Sequence, residues 1–348
     1  MKKLLFVIDQ LTGGGAERAL VNLVRHLDPT RFHSTILTVW PGGEDRLSPD
    51  VCVRCLNPRG SRAVFLLLRL LAQLKLFHPF WVGNEYDLEI AYLEAFPTKL
   101  LSASPGPKLA WVHCDMTHKR HREKMARWYP GFDRVVCVSK DVEKAFLRYF
   151  SGRTVVLPNI IDRLEILEKS REFPAESFDI LALGRLSPEK GFDRLIAACE
   201  ELQREGLSFR VGILGTGPEE ENLRKQAEDL KNITFLGYRE NPYPYLRAAK
   251  ILAIPSRSEG ASTVAAEGLI LGKAILAAPC SGMGEILGDS ALITGDLTFG
   301  LRCLLTDGDL WASLAEKAAR RGTDFDPRQA AERTEALFLQ VLAERGRL

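Results

Sequence analysis

The sequence is short of cysteine pairs. Its seven cysteines are scattered over 348 residues, and the one close pair, Cys52 and Cys55, has no second pair to complete a zinc site. They read as reduced thiols, as expected of a cytoplasmic protein. There is no low-complexity tract, and 46% hydrophobic with 26% charged residues is the balance of a folded chain. Long apolar runs are missing too. The richest, residues 63 to 77, is interrupted by Arg69 and Lys75 and is too short and too charged for a confident span. Residues 1 to 9 have the charge of a signal peptide but only a short apolar run and no cleavage pattern, so they read as a first buried strand. Net charge is small, with 47 Lys+Arg against 45 Asp+Glu, yet it is uneven: residues 1–165 hold 24 against 17, the remainder 23 against 28. A basic first half suits anionic lipid, nucleic acid or a phosphorylated acceptor, and charge alone does not choose among them. No nucleic-acid-binding module is recognisable, so none of that class is expected as a partner.

What is present is a regular alternation of short apolar runs with helical patterns, the mark of parallel sheets with helical crossovers. Strands are expected near residues 4–9, 34–39, 88–92, 109–113, 135–139 and 155–157, then near 180–184, 210–214, 233–236, 251–255, 274–278 and 291–294. Residues 51–56 are also strand-like. The length exceeds what one core usually supports. Two doubly wound α/β domains are therefore expected, residues 1–165 and 166–329, facing one another across a cleft with ligand at the C-terminal strand ends. The joint falls at Pro158 to Asp162 and the charged stretch after it.

The most informative segment is Ser256-Arg257-Ser258-Glu259-Gly260-Ala261-Ser262-Thr263-Val264-Ala265-Ala266-Glu267. An apolar run precedes it and small residues open a helix within it, so free backbone N–H groups and a positive dipole end lie beside two carboxylates. Glu259 and Glu267, one in the loop and one about two turns into the helix, can each take hydroxyls of one polyhydroxylated ligand, which suggests a sugar nucleotide. Gly184-Arg185-Leu186-Ser187-Pro188-Glu189-Lys190-Gly191 follows an earlier strand and puts two cations about one turn. Arg185 offers a planar fork and Lys190 a mobile point charge, a combination suited to a diphosphate leaving group. In the first half, Leu11-Thr12-Gly13-Gly14-Gly15-Ala16-Glu17-Arg18 joins strand to helix, and Trp111-Val112-His113 ends a strand. A dinucleotide fingerprint is not met, because Arg18 stands where a third glycine is needed and no acid closes the second strand.

The Glu-x7-Glu spacing, the Arg-and-Lys turn and the Trp-x-His segment together resemble retaining glycosyltransferases of family 4, with the GT-B fold, over nearly the whole chain. The resemblance implies that Gly14 and Gly15 lie against the donor phosphates and transferred sugar, and that His113 faces that sugar. It implies that His113 and Glu259 hold donor hydroxyls, Glu267 takes the ribose, and Arg185, Lys190 and the amides around Gly260, Ala261, Ser262 and Thr263 stabilise the departing diphosphate. Tyr238 and Glu240 occupy the place where family members wrap the base, and Ser281 to Glu285 that of a loop closing over the donor. The last helix, from Ala330 to Leu348, would cross back to the first domain.

The resemblance also implies front-face, retaining transfer of a hexose or N-acetylhexosamine from a nucleotide sugar, a UDP-sugar foremost, to a saccharide or lipid-linked saccharide in glycan assembly. No cofactor is implied, because the nucleotide sugar is a substrate. Ala261 and Gly268 replace larger residues common in the motif and Lys250 stands at a place often acidic, which leaves the donor sugar open. Since Arg185 and Lys190 bring the positive charge a metal would bring, transfer without metal is expected, and Asp307-Gly308-Asp309 reads as a turn before a helix cap. Arg62, Arg69 and Lys75, with a second basic stretch at residues 119–124, allow an interfacial helix on an anionic membrane, on the inner face of the plasma membrane. A core helix with solvated cations fits that segment as well. Two other classes compete: a nucleotide-sugar epimerase of the same fold and a non-enzymatic nucleotide-sugar-binding protein. The paired glutamates favour the transferase, and no charged donor residue is missing as the binding module would predict.

Overall fold

A computed structural model describes all residues except 13, 49, 50, 84, 117–121, 174, 175 and 348. Of the second basic stretch, Lys119, Arg120 and His121 therefore lie outside the described residues. The chain divides into two compact units, Met1–Ile160 with Pro327–Leu348, and Ile161–Asp326.

The first unit is built on a seven-stranded parallel sheet. Its strands are β1 (Lys2–Ile8), β2 (Phe32–Thr38), β3 (Cys52–Cys55), β4 (Leu88–Ala91), β5 (Lys108–Val112), β6 (Arg134–Cys137) and β7 (Thr154–Val156), in the order β3-β2-β1-β4-β5-β6-β7. Cys52 and Cys55 sit in the edge strand as free thiols. The order turns back on itself between β1 and β4. The second sheet has six parallel strands, β8 (Ile180–Leu183), β9 (Val211–Leu214), β10 (Ile233–Gly237), β11 (Ile251–Ile254), β12 (Ala274–Ala277) and β13 (Leu292–Ile293), in the order β10-β9-β8-β11-β12-β13, and turns back between β8 and β11. Such reversals open a crevice at the carboxyl ends of the flanking strands, where no crossover helix can cover both sides.

Continuous apolar runs make these strands because a parallel sheet is covered by helices on both faces. The two-residue period still sorts the side chains. Ile180 and Ala182 share one core with Ile251, Ala253, Ala274 and Leu276, while Leu181 joins Leu252, Ile254, Ile275 and Ala277 in the other.

The Pro327–Glu344 helix lies on the first sheet, far in sequence from it. Its Phe338 is fully buried, with ring centroids 6.3 Å from Phe6 and 6.1 Å from Phe32. Glu335 accepts the Asp28 amide at 2.7 Å and pairs with Arg31 at 2.9 Å, while Arg345 pairs with Asp133 at 2.7 Å. At the start of the second unit Ile161 and Ile166 pack with Ala266 and Ile270 of the same unit.

Candidate active site

In the second unit the site forms at the β8/β11 reversal. The Lys190 ammonium meets Glu259 Oε1 at 2.7 Å, and the Ser256 hydroxyl donates to the same oxygen at 2.8 Å. Residues 69 apart in sequence touch because β8 and β11 are neighbours. The pair is sheltered, with side-chain exposures of 26% for Lys190 and 9% for Glu259. Arg185 is exposed and makes no ion pair among the described residues. One unit thus holds a tethered cation, an outward-facing cation and a carboxylate within a single turn-and-loop system.

Glycine fixes this geometry. Gly191 follows Lys190 at φ +67°, and a Cβ there would fall 2.2 Å from the Pro255 carbonyl oxygen, the residue that leads into the Ser256–Glu259 loop. A Cβ on Gly215, the residue after β9, would fall 1.9 Å from the Gly184 carbonyl oxygen. Neither constraint was legible from the sequence motifs, although glycine directly after strand residues hints at close backbone approach.

The loop then enters the Thr263–Ile270 helix, whose cap is Ser262: its side chain accepts the Ala265 amide. Gly260 is buried, and Ala261 and Thr263 are partly so. Glu267 is 2% exposed and accepts a long 3.5 Å hydrogen bond from the Tyr243 hydroxyl. Gly237 ends β10 at φ +69° and sets Tyr238 and Glu240 on the exposed loop beyond it. Of Ser281 to Glu285, expected as a loop, the part from Met283 on belongs to a short helix, Met283–Leu287, begun by Gly282 at φ +77°. The Cys280 thiol, at the end of β12, is pushed up to about 11 by burial and by the Glu259 carboxylate, so it is a neutral neighbour of the pair.

In the first unit the expected site residues follow β1 and β5, the two strands that flank β4. Gly14 caps the Gly15–His26 helix directly after β1, with the Arg18 amide donating to its carbonyl at 3.0 Å. His113 follows β5, and its ring packs on Tyr92 at 4.9 Å. Both ring nitrogens are buried and make no hydrogen bond among the described residues. Burial dominates and lowers the imidazole to about 4, against the opposing pull of the Glu94 carboxylate, the Tyr92 backbone and Asn159.

Glu94 was missed by sequence reasoning. It is 6% exposed, and one carboxylate oxygen accepts the backbone amides of both His113 and Cys114. It fixes the chain where β5 ends. The next residue, Ala95, takes φ +69°, a conformation costly for a side chain and held between this anchor and the Phe96–Leu101 helix. The signal was a lone acid in the apolar run Ile90 to Phe96.

A neutral His113 has a pH signature. Because its folded value of about 4 lies below the ordinary 6.5, only the unfolded chain takes up a proton between those limits. Stability therefore falls as pH drops from about 6.5 to 4, by about 3 kcal/mol in full. Denaturation midpoints of wild type and His113→Gln, compared from pH 7.5 downward, should diverge in that window; parallel pH slopes would count against a buried neutral ring.

Asp307-Gly308-Asp309, expected as a turn before a helix cap, is the helix start itself: Asp307 caps the Gly308–Arg321 helix by accepting the Leu310 amide at 2.9 Å. No cluster of metal-binding side chains occurs among the described residues.

Two doubly wound parallel sheets, each turning back once in its strand order, define the fold as GT-B. The comparisons agree. A family model described as "Glycosyltransferase Family 4" matches residues 13–163, and one described as "Glycosyl transferases group 1" matches residues 177–321. The chain belongs to glycosyltransferase family 4. It is 32% identical over 291 residues to the lipopolysaccharide core biosynthesis glycosyltransferase LpsD of Rhizobium meliloti, covering 79% of this chain and 78% of LpsD. It is 26% identical over 360 residues to the N-acetylgalactosamine-N,N'-diacetylbacillosaminyl-diphospho-undecaprenol 4-alpha-N-acetylgalactosaminyltransferase of Campylobacter jejuni, covering 94% and 96%. Against two uncharacterized glycosyltransferases the match spans about half of the relative's length, 43% and 57%. Among solved structures, Anabaena Alr3699/HepE in complex with UDP and glucose superposes with a TM-score of 0.78 at 20% identity, covering 98% of this chain and 100% of that one.

Proposed function

We propose that this glycosyltransferase moves a hexose or N-acetylhexosamine, with retention, from a UDP-sugar to a saccharide or lipid-linked saccharide acceptor, in the cytoplasm at the inner face of the plasma membrane. The observation that carries the reading is the Lys190–Glu259–Ser256 cluster beside the exposed Arg185. A diphosphate leaving group needs fixed positive charge where its own charge grows, and preorganised cations in a partly dry site supply several kcal/mol of that stabilisation. Lys190 is already oriented by Glu259, so little reorganisation is needed when phosphate arrives. Glu259 keeps a second oxygen for donor hydroxyls. Glu267 takes the ribose, and Tyr238 and Glu240 border the base.

In the first unit the Gly14–Gly15 helix start approaches the donor phosphates, and His113 gives a neutral imidazole that can donate to or accept from a sugar hydroxyl without a charge change at working pH. The first unit serves the acceptor and the second the donor. UDP and glucose in the Anabaena structure, and the diphospho-undecaprenol acceptor in the Campylobacter relative's name, support the two substrate classes.

The test is thermal stabilisation without metal against UDP-, GDP-, ADP- and dTDP-sugars, since a ligand of the folded state raises its melting temperature. A selective shift with a UDP-sugar is expected; no shift with any sugar nucleotide would remove the donor assignment. Because Arg185 and Lys190 supply the charge, chelation with EDTA should leave turnover unchanged, and inhibition reversed by manganese or magnesium would contradict transfer without metal.

A further inference from the structure

From Val51 to Asn84 the chain carries five Lys or Arg and no Asp or Glu. Within that stretch the Arg62–Gln73 helix is apolar on two sides. Its inner side is well packed: Leu68 and Ala72 are buried, and Phe65 lies between Trp40 at 4.9 Å and Phe96 at 5.1 Å. At about 3.6 residues per turn, Leu66, Leu67, Leu70 and Leu74 fall on the opposite side. They are 61%, 50%, 52% and 55% exposed. Arg62 and Arg69 border this row on one edge. Beyond the helix, Leu76 and Trp81 are also exposed, at 41% and 42%.

The segment is firmly held. His78, in the Phe77–Trp81 turn, pairs with Glu89 of β4 at 2.9 Å, both side chains under a tenth exposed. The leucine row is therefore a fixed face of the fold and not a frayed end. A contiguous exposed apolar face of this kind marks a contact surface.

We infer that this face, centred on Leu66, Leu67, Leu70 and Leu74, inserts shallowly into an anionic lipid bilayer, with Arg62, Arg69 and Lys75 reaching the headgroups. The inference rests on the proposed membrane contact and gives it a surface. Leucines on one side with cations at the rim and a tryptophan beside them are the residue types that settle at a membrane–water interface. The absence of acids in the stretch matches a negative headgroup layer. A second copy of the chain fits less well, since a two-fold contact would bring the same cations against each other.

Co-sedimentation of the whole protein with phosphatidylglycerol/phosphatidylcholine vesicles and with phosphatidylcholine alone tests this. Wild type should pellet with the anionic vesicles, with binding weakened but not abolished by salt. Leu66→Glu/Leu70→Glu, at exposed positions that leave the core intact, should lower vesicle affinity by more than about tenfold. Arg62→Glu/Arg69→Glu should remove the preference for anionic lipid. Wild type left in the supernatant, or a Leu66→Glu/Leu70→Glu variant that binds as wild type does, would overturn the inference. So would a dimer seen by light scattering that this variant abolishes without any vesicle binding. Donor-induced stabilisation measured on the same samples keeps the two readings apart: vesicle binding without donor stabilisation would sink the donor site and leave this surface standing.

Discussion

Replacing Lys190 with Ala is expected to lower kcat by about 10²–10³, the loss seen when one preorganised charge stabiliser is removed. The folded state should survive. The Lys190–Glu259 pair is partly solvated on the lysine side, so its loss costs stability on the order of 1–3 kcal/mol rather than the larger penalty of a fully buried charge. Glu259→Ala should cost as much in rate, and because the two groups touch, the double variant should lose far less than the product of the single losses. Lys190→Arg tests whether a point charge or a planar fork is required, since Glu259, itself held by the Ser256 hydroxyl, tethers the ammonium at a single oxygen that a guanidinium meets with a different geometry. The measurement is initial rate at saturating donor together with donor affinity by calorimetry. A Lys190→Ala enzyme within tenfold of wild type, or rate losses that multiply independently, would show that the pair does not act as one device.

Phe338→Ala should destabilise the protein by about 3–5 kcal/mol. The side chain is fully buried between Phe6 and Phe32, so its removal leaves a cavity in the first unit and loses two ring contacts. By size scaling this lowers that unit's melting temperature on the order of 10 °C. The nearby polar contacts are weaker levers. Arg31 is 46% exposed, so its ion pair with Glu335 contributes little, and Glu335→Ala is felt through the stranded Asp28 amide, at about 1–3 kcal/mol. Packing therefore outweighs charge in docking this helix. Differential scanning calorimetry of both variants checks the order; a larger loss for Glu335→Ala than for Phe338→Ala would reverse it.

Much of the fold was legible because buried parallel strands have to be apolar throughout and are punctuated by glycine and polar residues at their carboxyl ends. Runs such as Ile251 to Ile254 and Ala274 to Ala277 are strands wherever they are covered on both faces. The candidate site was legible for a related reason: Glu259 and Ser262 lie where strand passes to helix, a local junction that a short motif encodes. The sheet reversals decided the rest. Lys190 reaches Glu259, and Glu94 reaches the amides of His113 and Cys114, only because strands distant in sequence are neighbours in the sheet. Cover is likewise a tertiary property. Phe65 and Leu66 are adjacent and equally apolar in sequence, yet one is packed between Trp40 and Phe96 and the other faces outward. Sequence alone determined which segments had to become strands and which junctions carry charge, since those follow from local pattern. Which charges meet, and which apolar side chains are left uncovered, was decided by strand order and helix docking, because contacts between remote segments exist only once the sheets are assembled.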